Sequence, residues 1–489
     1  MNGMEQQQVK TAVIIGGGIT GMSTAYYLEQ KAREQGIDLQ IYLLEADDKL
    51  GGKVQTVRRD GFVIEAGPDS FLARKTAAVT LCRELGIDGE LVGTNPNARK
   101  TYILHQGKLH RIPQGLNIGV PTQFMPFATT TLLSWGGKLR AGLDLIKPKS
   151  THQGDQSLGA FLERRLGTEV VDRLAEPLLA GIYAGDLRKL SMRATFPQYE
   201  TLEQKYGSLI RGMLAQAQEA KAAQANTAQK PELGARPLPN SVFLTFRTGL
   251  ARLIESLEAA YKRTEVRKST RVEKLEEQEG GGYTVRLQDG NTLDADAVII
   301  TTPNYEAANI LPASFSPKTQ LNQVPYVSVA TVVFAFDKGV IDFPLDASGF
   351  VVPKKEGITI TAATWTSSKW LHTAEDGKVL MRFYVGRGGD EAIVEEPDEE
   401  IIRRVRKDLQ ATMGVTAEPA FSIVSRWKRS MPQYTVGHLD RVKTFTDQAE
   451  RELPGVFFAG AGFTGLGIPD CIGQGVAMAD KVISNLKKG

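Results

Sequence analysis

Gly16, Gly18 and Gly21 fall at the spacing G-x-G-x-x-G inside the run Gly16-Gly17-Gly18-Ile19-Thr20-Gly21. Loops of this kind hold a pyrophosphate. Gly16 allows the tight turn, Gly18 lets the backbone approach the phosphates, and Gly21 lets the following helix pack closely, while that helix's first N–H groups and its dipole attract the anion. Glu45, followed by Ala46, lies twenty-four residues beyond Gly21 and is the acid such a site needs, since one carboxylate can accept both ribose hydroxyls. To bring these residues together the chain must run strand, loop, helix, strand. The apolar run Thr11 to Ile15 fits a buried parallel strand, Ala25, Tyr26 and Leu28 belong to a helix reaching about Gln35, and Gln40 to Leu44 fits a second strand ending at Glu45. A dinucleotide site on an α/β frame follows.

A second group of glycines comes soon after. Gly51, Gly52 and Lys53 precede a hairpin with an Asp60-Gly61 turn, which leads to Glu65-Ala66-Gly67-Pro68. A third group lies near the other end: a short strand, Val456 to Ala459, then Gly460, Gly462, Gly465 and Gly467, then Ile468-Pro469-Asp470 and a helix from about Cys471 to Leu486. A helix opened by Pro469 and Asp470 can offer backbone N–H groups to the pyrimidine edge of an isoalloxazine, where negative charge gathers on reduction. Asp470 serves equally well as a plain N-cap. A further hairpin runs from Tyr283 through an Asp289-Gly290 turn and on into the strand Ala297 to Thr301.

The 489 residues exceed one typical domain, and 59 basic against 56 acidic side chains leave +3, too little for a general nucleic-acid binder. Two distant cysteines, Cys82 and Cys471, exclude a disulfide scaffold and a zinc cluster and suit a reducing cytoplasm. No metal site is expected. The uncharged stretch Ile112 to Gly137 is broken by Pro113, Pro121 and Pro126 and should not span a bilayer, so at most it makes a weak peripheral membrane contact or lines the approach to the active site. An Ala/Gln tract turning Pro- and Gly-rich, Leu214 to Pro239, reads as a helix end entering a mobile loop.

The run from Glu45 to Lys53 resembles the glycine doublet of FAD-dependent amine oxidases, phytoene desaturases and protoporphyrinogen oxidases. EPLLAGIYAGDLRKLS (Glu176 to Ser191), SRWKRSMPQYTVGH (Ser425 to His438) and GPDSFLARK (Gly67 to Lys75) narrow the likeness to the protoporphyrinogen and coproporphyrinogen oxidases, of the soluble Gram-positive type. The resemblance implies an α/β protein with a Rossmann-like FAD domain assembled from 1–75, 241–305 and 440–489. A mixed substrate domain would come from 76–110 and 306–439, and a helical, membrane-binding-like region from 111–240. It implies oxidation of coproporphyrinogen III in haem biosynthesis, with activity on protoporphyrinogen IX. Dioxygen would take the electrons and leave as hydrogen peroxide. FAD would be non-covalent, because nothing near Cys471 activates its thiol. Beyond the residues of the first loop, Glu45 and Ala46, the cofactor contacts implied are Gly52, Lys53, Gly67, Pro68, Asp69, Ser70, Val272, Trp427, Gly460, Ile468, Pro469 and Asp470.

No acid-base dyad is apparent, and the five histidines are scattered. Backbone carbonyls around Gly181 and Gly185 are the implied partners of pyrrole N–H groups. Substrate propionates need cations, with Lys75 first, then Arg74, and with Arg387 and Arg429 behind them. Protoporphyrinogen IX oxidase as the main activity, another FAD amine oxidase or desaturase, and a non-enzymatic binding module like the GDP-dissociation inhibitors remain alternatives. Oligomeric state is not legible.

Overall fold

Five short strands of mostly β-branched and leucine residues form the parallel sheet that carries the first glycine loop, its central strands buried on both faces and its edge strand Thr264–Arg267 partly exposed. In spatial order they are Thr264–Arg267, Leu39–Leu44, Lys10–Ile15, Ala297–Ile300 and Val456–Phe458. The computed structural model describes residues 9–117, 119–226 and 236–487. Because successive side chains of a strand point to opposite faces, Ala12 and Ile14 join one core and Val13 and Ile15 the other. The first core is filled by Met22, Ala25 and Leu28 of the helix Ile19–Glu34 and by Ile472, Ala479 and Val482 of the C-terminal helix Ile468–Leu486. On the second face sit the antiparallel sheet Val272–Glu277, Tyr283–Leu287, Thr292–Ala295 and the helix His438–Glu452.

A seven-stranded mixed sheet forms the other half of the site. Its order is Phe421–Pro432, Tyr326–Asp337, Lys378–Val385, Ile360–Thr364, Gly349–Val351, Tyr102–His105, Lys108–Arg111, antiparallel except where Phe350 and Val351 run alongside Tyr102 and Ile103. Phe334, Phe336, Met381 and Phe383 face the amphipathic helix Asp398–Met413. Val333, Ala335 and Leu380 point the other way, onto Phe62 and Ile64 of the hairpin Thr56–Arg59 and Phe62–Glu65. That hairpin therefore ties the two sheets together. Its turn has Asp60 and Gly61 both at positive φ, as a two-residue turn between twisted strands requires.

The helical region packs Leu158, Phe161, Leu162, Val170, Leu174 and Tyr199 around a wholly buried Arg165. That guanidinium has full compensation from Asp144, from Glu203 at 3.2 Å, and from the carbonyls of Asp144 and Gly207, both at 2.9 Å. The stretch Ile112 to Gly137 behaves less simply than its composition suggests. Val120, Phe127, Leu132 and Leu133 enter the helical core, but Phe124, Met125 and Trp135 are 81, 64 and 74% exposed on two short helices, so the segment is not merely a lining. No helix among the described residues is long and apolar enough to cross a membrane. The loop expected near 214–239 begins later, since a helix runs from Leu209 to Asn226; residues 227–235 lie outside the described part.

Candidate active site

The nucleotide end is built almost wholly from backbone. Gly16 adopts φ +108° at the end of its strand, and a Cβ on Gly21 would stand 2.0 Å from the Gly16 carbonyl oxygen, so only glycine lets the helix start there. Gly18 is the N-cap of the helix Ile19–Glu34 and provides no side-chain cap, so no side chain competes for the first-turn N–H groups. A Cβ on Gly18 would enter open space, which is the room a phosphate needs. Glu45 is fixed by two donors, Gly17 N–H at 2.7 Å to Oε2 and Asp47 N–H at 2.9 Å to Oε1. Each oxygen keeps a lone pair for a ribose hydroxyl. Ala46 is exposed beside it. The glycine doublet closes over the same loop: Gly51 N–H donates to Gly17 O at 2.8 Å, and a Cβ on Gly52 would lie 3.3 Å from Gly18 Cα. Thr270 N–H, donating to Glu45 O at 2.7 Å, brings the strand that starts at Val272 to this end. This cradle fits the adenosine diphosphate part of FAD.

The C-terminal helix starts earlier than the sequence suggests, at Ile468 rather than Cys471, with Gly467 as its N-cap. Asp470 is therefore not the N-cap but lies within the first turn, where Oδ2 accepts from Gly467 N–H at 3.2 Å. Both its oxygens also receive the Lys75 ammonium at 2.6 Å. Pro469 and Ile468 are buried, and Gly460, at φ +118°, donates to Gln474 Oε1 at 2.9 Å. Burial pushes the Cys471 thiol up, so the neutral form dominates and a thiolate attack on a ring is disfavoured.

Lys53, Gly67 and Trp427 meet where the hairpin reaches the seven-stranded sheet. A Cβ on Gly67 would fall 1.8 Å from Lys53 O, and Trp427 Nε1 donates to Ala66 O at 2.9 Å. The Lys53 ammonium donates to Ser430 O, and burial lowers its pKa. Asp69 and Ser70, expected at the cofactor, spend their side chains elsewhere. The Asp69 carboxylate takes Lys369 at 2.7 Å, Trp370 Nε1 at 3.3 Å and the Ser70 hydroxyl at 2.6 Å. Burial alone would raise its pKa, but Lys369 and Arg382 outweigh that and hold it well below the usual carboxylate range. Asp69 is a strut, and only the backbone from Gly67 and Pro68 to Ser70 is left to face a ring.

At the substrate end the expected residues are less well placed. Lys75 is already neutralised by Asp470, and Arg74 is exposed. Arg429 is stacked on Tyr305, 3.8 Å from its ring centre. Gly181 is exposed on the helix Glu176–Tyr183, but two carbonyls of the neighbouring stretch are taken, Tyr183 O by Gln433 Nε2 at 2.8 Å and Ala184 O by Gly388 N–H at 2.7 Å. Gly185 is pressed against Gln433, whose Oε1 would lie 1.8 Å from an added Cβ. Sequence reasoning missed Glu65 and Arg382. Burial raises the Glu65 carboxyl to about 7 although Leu250 N–H and the Thr56 hydroxyl bond it, and Arg382 donates to Gly67 O from behind. Both line a small cavity with Asp69, Thr245 and His372 that has room for a single water. A signal did exist for Arg382: it is a charge at an inward position of a strand, Lys378–Val385, whose residues from Val379 on are otherwise apolar or aromatic.

Comparison with known proteins agrees with this geometry. The profile of flavin containing amine oxidoreductases matches residues 19–483. A coproporphyrinogen III oxidase of Bacillus subtilis (strain 168) is 44% identical over 98% of each chain. One from Staphylococcus aureus is 40% identical over 98% of this chain and 100% of its own. A crystal structure of a protein from Exiguobacterium sp. 255-15, 37% identical, superposes with a TM-score of 0.86 over 98% of this chain and 100% of that one. The loop and helix ends that cradle a dinucleotide are thus those of an FAD oxidoreductase, and the chain belongs to the flavin containing amine oxidoreductase family.

Proposed function

We propose that this enzyme oxidises coproporphyrinogen III to coproporphyrin III, using dioxygen and releasing hydrogen peroxide. The observation that carries this reading is the 44% identity over 98% of both chains to a coproporphyrinogen III oxidase, with the flavin-cradling geometry intact. The conversion removes six hydrogens from the macrocycle, as six electrons and six protons, and balances against three dioxygen molecules reduced to three of hydrogen peroxide. Bound FAD supplies the acceptor for each two-electron step and the route to dioxygen. The chain's own residues bind and orient. Gly16 to Gly21, Glu45, Gly51 and Gly52 hold the adenosine and phosphates, and Gly67, Pro68, Trp427, Gly460 and the helix start at Ile468 and Pro469 frame the ring. Lys53, fixed on Ser430 O, joins the nucleotide loop to the substrate sheet.

Catalysis in this reading rests on positioning a meso carbon against a flavin and needs no dedicated acid-base pair. Protoporphyrinogen IX, sharing that carbon but with two propionates fewer, should react less efficiently. Phe124, Met125, Trp135, Leu139 and Ile146 are exposed, with the half-buried Lys138 and Lys147 tied to the carbonyls of Ala128 and Arg164, so this face offers apolar side chains for weak peripheral membrane contact, and the protein is cytoplasmic in this reading. The test is to supply the FAD-loaded protein with both porphyrinogens and follow porphyrin fluorescence and peroxide. Preference for coproporphyrinogen III is expected. Preference for protoporphyrinogen IX would reassign the substrate, oxidation of an amine or a carotenoid precursor alone would favour a sister activity, and failure to retain flavin would favour a binding module.

A further inference from the structure

Among the described residues, two arginines bury Nε and Nη1 without any acceptor, Arg382 and Arg387. They differ in what surrounds them. Arg382 has the Gly67 carbonyl on Nη2, Asp69 close by, and a cavity able to hold a water beside it. Arg387 is 5% exposed, and its side chain has no hydrogen bond and no carboxylate within ion-pair distance among the described residues. A guanidinium cannot shed its proton at any pH a cell meets, so burial leaves it a charge in search of an anion. The acids that act on it electrostatically are Glu176 and Asp390. Neither reaches it; Glu176 is instead spent on Lys354 N–H at 3.4 Å.

The location gives the missing anion a source. Arg387 opens a turn closed by Asp390 N–H on Arg387 O at 2.8 Å, and the next residue, Gly388, donates to Ala184 O at 2.7 Å. Ala184, in the left-handed region at φ +51°, ends the helix Glu176–Tyr183, and Tyr183 feels the charge of Asp470 at the start of the flavin-facing helix. The turn that carries Arg387 is thus pinned through Gly388 to the wall formed by Tyr183, Ala184 and Gly185, while Lys75 is paired with Asp470 itself. We propose that Arg387 receives a propionate carboxylate of the tetrapyrrole, so that the substrate supplies the anion this buried cation lacks. This rests on the porphyrinogen reading above. Glu176, whose charge acts on the same guanidinium without reaching it, then opposes the arriving carboxylate.

The test uses the full FAD-loaded chain and compares binding of coproporphyrin III with that of its tetramethyl ester in the same detergent, by fluorescence titration, alongside porphyrinogen kinetics. Wild type should favour the free acid. Arg387→Met should weaken the free acid by roughly 10- to 100-fold, as loss of a charge-assisted hydrogen bond implies, leave the ester unchanged, and raise KM far more than it lowers kcat. Equal affinity of Arg387→Met and wild type for the free acid overturns the proposal. Should Arg387→Met fail to fold, Glu176→Gln decides, because removing the opposing carboxylate should tighten the free acid several-fold; unchanged or weaker binding overturns it. If wild type binds neither porphyrin, the porphyrinogen reading itself falls, a result separable from equal binding by both proteins.

Discussion

The nucleotide end and the substrate end of this site are made of different materials. Around Gly16 to Gly21 the working groups are backbone amides, a single carboxylate held by two N–H donors, and helix ends left uncapped by side chains. Around Gln433, Arg382 and Arg387 they are side chains from two distant stretches, set against the carbonyl of Tyr183 in a third, and the two arginines are buried charges, Arg382 with one acceptor on Gly67 O and Arg387 with none among the described residues. Backbone recognition is rigid and intolerant of added atoms. Side-chain recognition is tunable, and its errors are smaller. The two ends should therefore fail differently when disturbed.

The largest effect belongs to the glycine loop. Gly21→Ala puts a Cβ 2.0 Å from the Gly16 carbonyl oxygen and 2.8 Å from Thr301 Oγ1, and the first of these is backbone that cannot move without unseating the strand. Overpacking of this kind costs about 1–3 kcal/mol or more, and here it pushes the helix start away from the strand end that shapes the loop. The variant should be isolated without flavin and with a thermal midpoint several degrees lower. A flavin-replete Gly21→Ala protein would show the loop to be softer than described.

The next effect falls at the junction between the ends. Glu65 gives up its proton near 7 in the folded protein because burial opposes its charge, against an ordinary value of 4.5. The native state therefore binds more protons than the unfolded chain between those values, and stability falls as pH rises through that window. The full change is on the order of 3 kcal/mol. Glu65→Gln keeps an oxygen for Leu250 N–H and can donate its amide to the Thr56 hydroxyl, which now donates to Glu65, so it should flatten the denaturant midpoint across pH 4.5 to 7. A slope surviving in Glu65→Gln would assign the proton elsewhere.

The same contrast explains what was legible beforehand. Strand, glycine spacing and acid lie within thirty-five residues, and the local rules that shape them hold in the folded chain; the strand Lys10–Ile15, the helix Ile19–Glu34 and Glu45 stand where their spacing requires. The helix opened by Pro469 was legible as well, though not its true start, because Ile468 reads as a loop residue until Gly467 is seen to cap it. What the Asp69 side chain does was not legible, since nothing local shows that Lys369 and Trp370, three hundred residues on, will claim its carboxylate. Arg387 was legible only as one strand-flanking charge among others. That its nitrogens have no acceptor is a property of the assembled turn and not of any spacing.

Glu45→Ala sharpens the comparison from the nucleotide side. It removes the carboxylate proposed to accept the ribose hydroxyls and frees the Gly17 N–H that Oε2 now holds at 2.7 Å. Loss of hydrogen bonds to a charged group is worth about 1.5–3 kcal/mol, or roughly 10- to 150-fold in FAD affinity. Flavin should be lost on dilution and regained with excess FAD, and the thermal midpoint of the replete protein should hardly change. Tight retention after extensive dialysis would remove Glu45 from the cofactor site.

The smallest effect is expected at Lys75. Its ammonium is held by both oxygens of Asp470, but the two side chains are 39 and 26% exposed, so solvent screening reduces the pair to about 1 kcal/mol or less. A propionate arriving here must share the cation with Asp470, so the affinity at stake is smaller than for an unpaired cation. Lys75→Ala should then raise KM for coproporphyrinogen III only several-fold with kcat little changed. Lys75→Arg, which replaces a point charge by a planar fork, should fall between Lys75→Ala and wild type. The informative measurement is the ratio of the two KM effects, Arg387→Met over Lys75→Ala, on one substrate and at one ionic strength. A ratio well above one locates the main carboxylate contact at the buried, acceptor-free guanidinium. A ratio below one returns it to Lys75 and means that Asp470 gives way to substrate, turning the ion pair at the helix start from a fixed support into a contact that opens on binding.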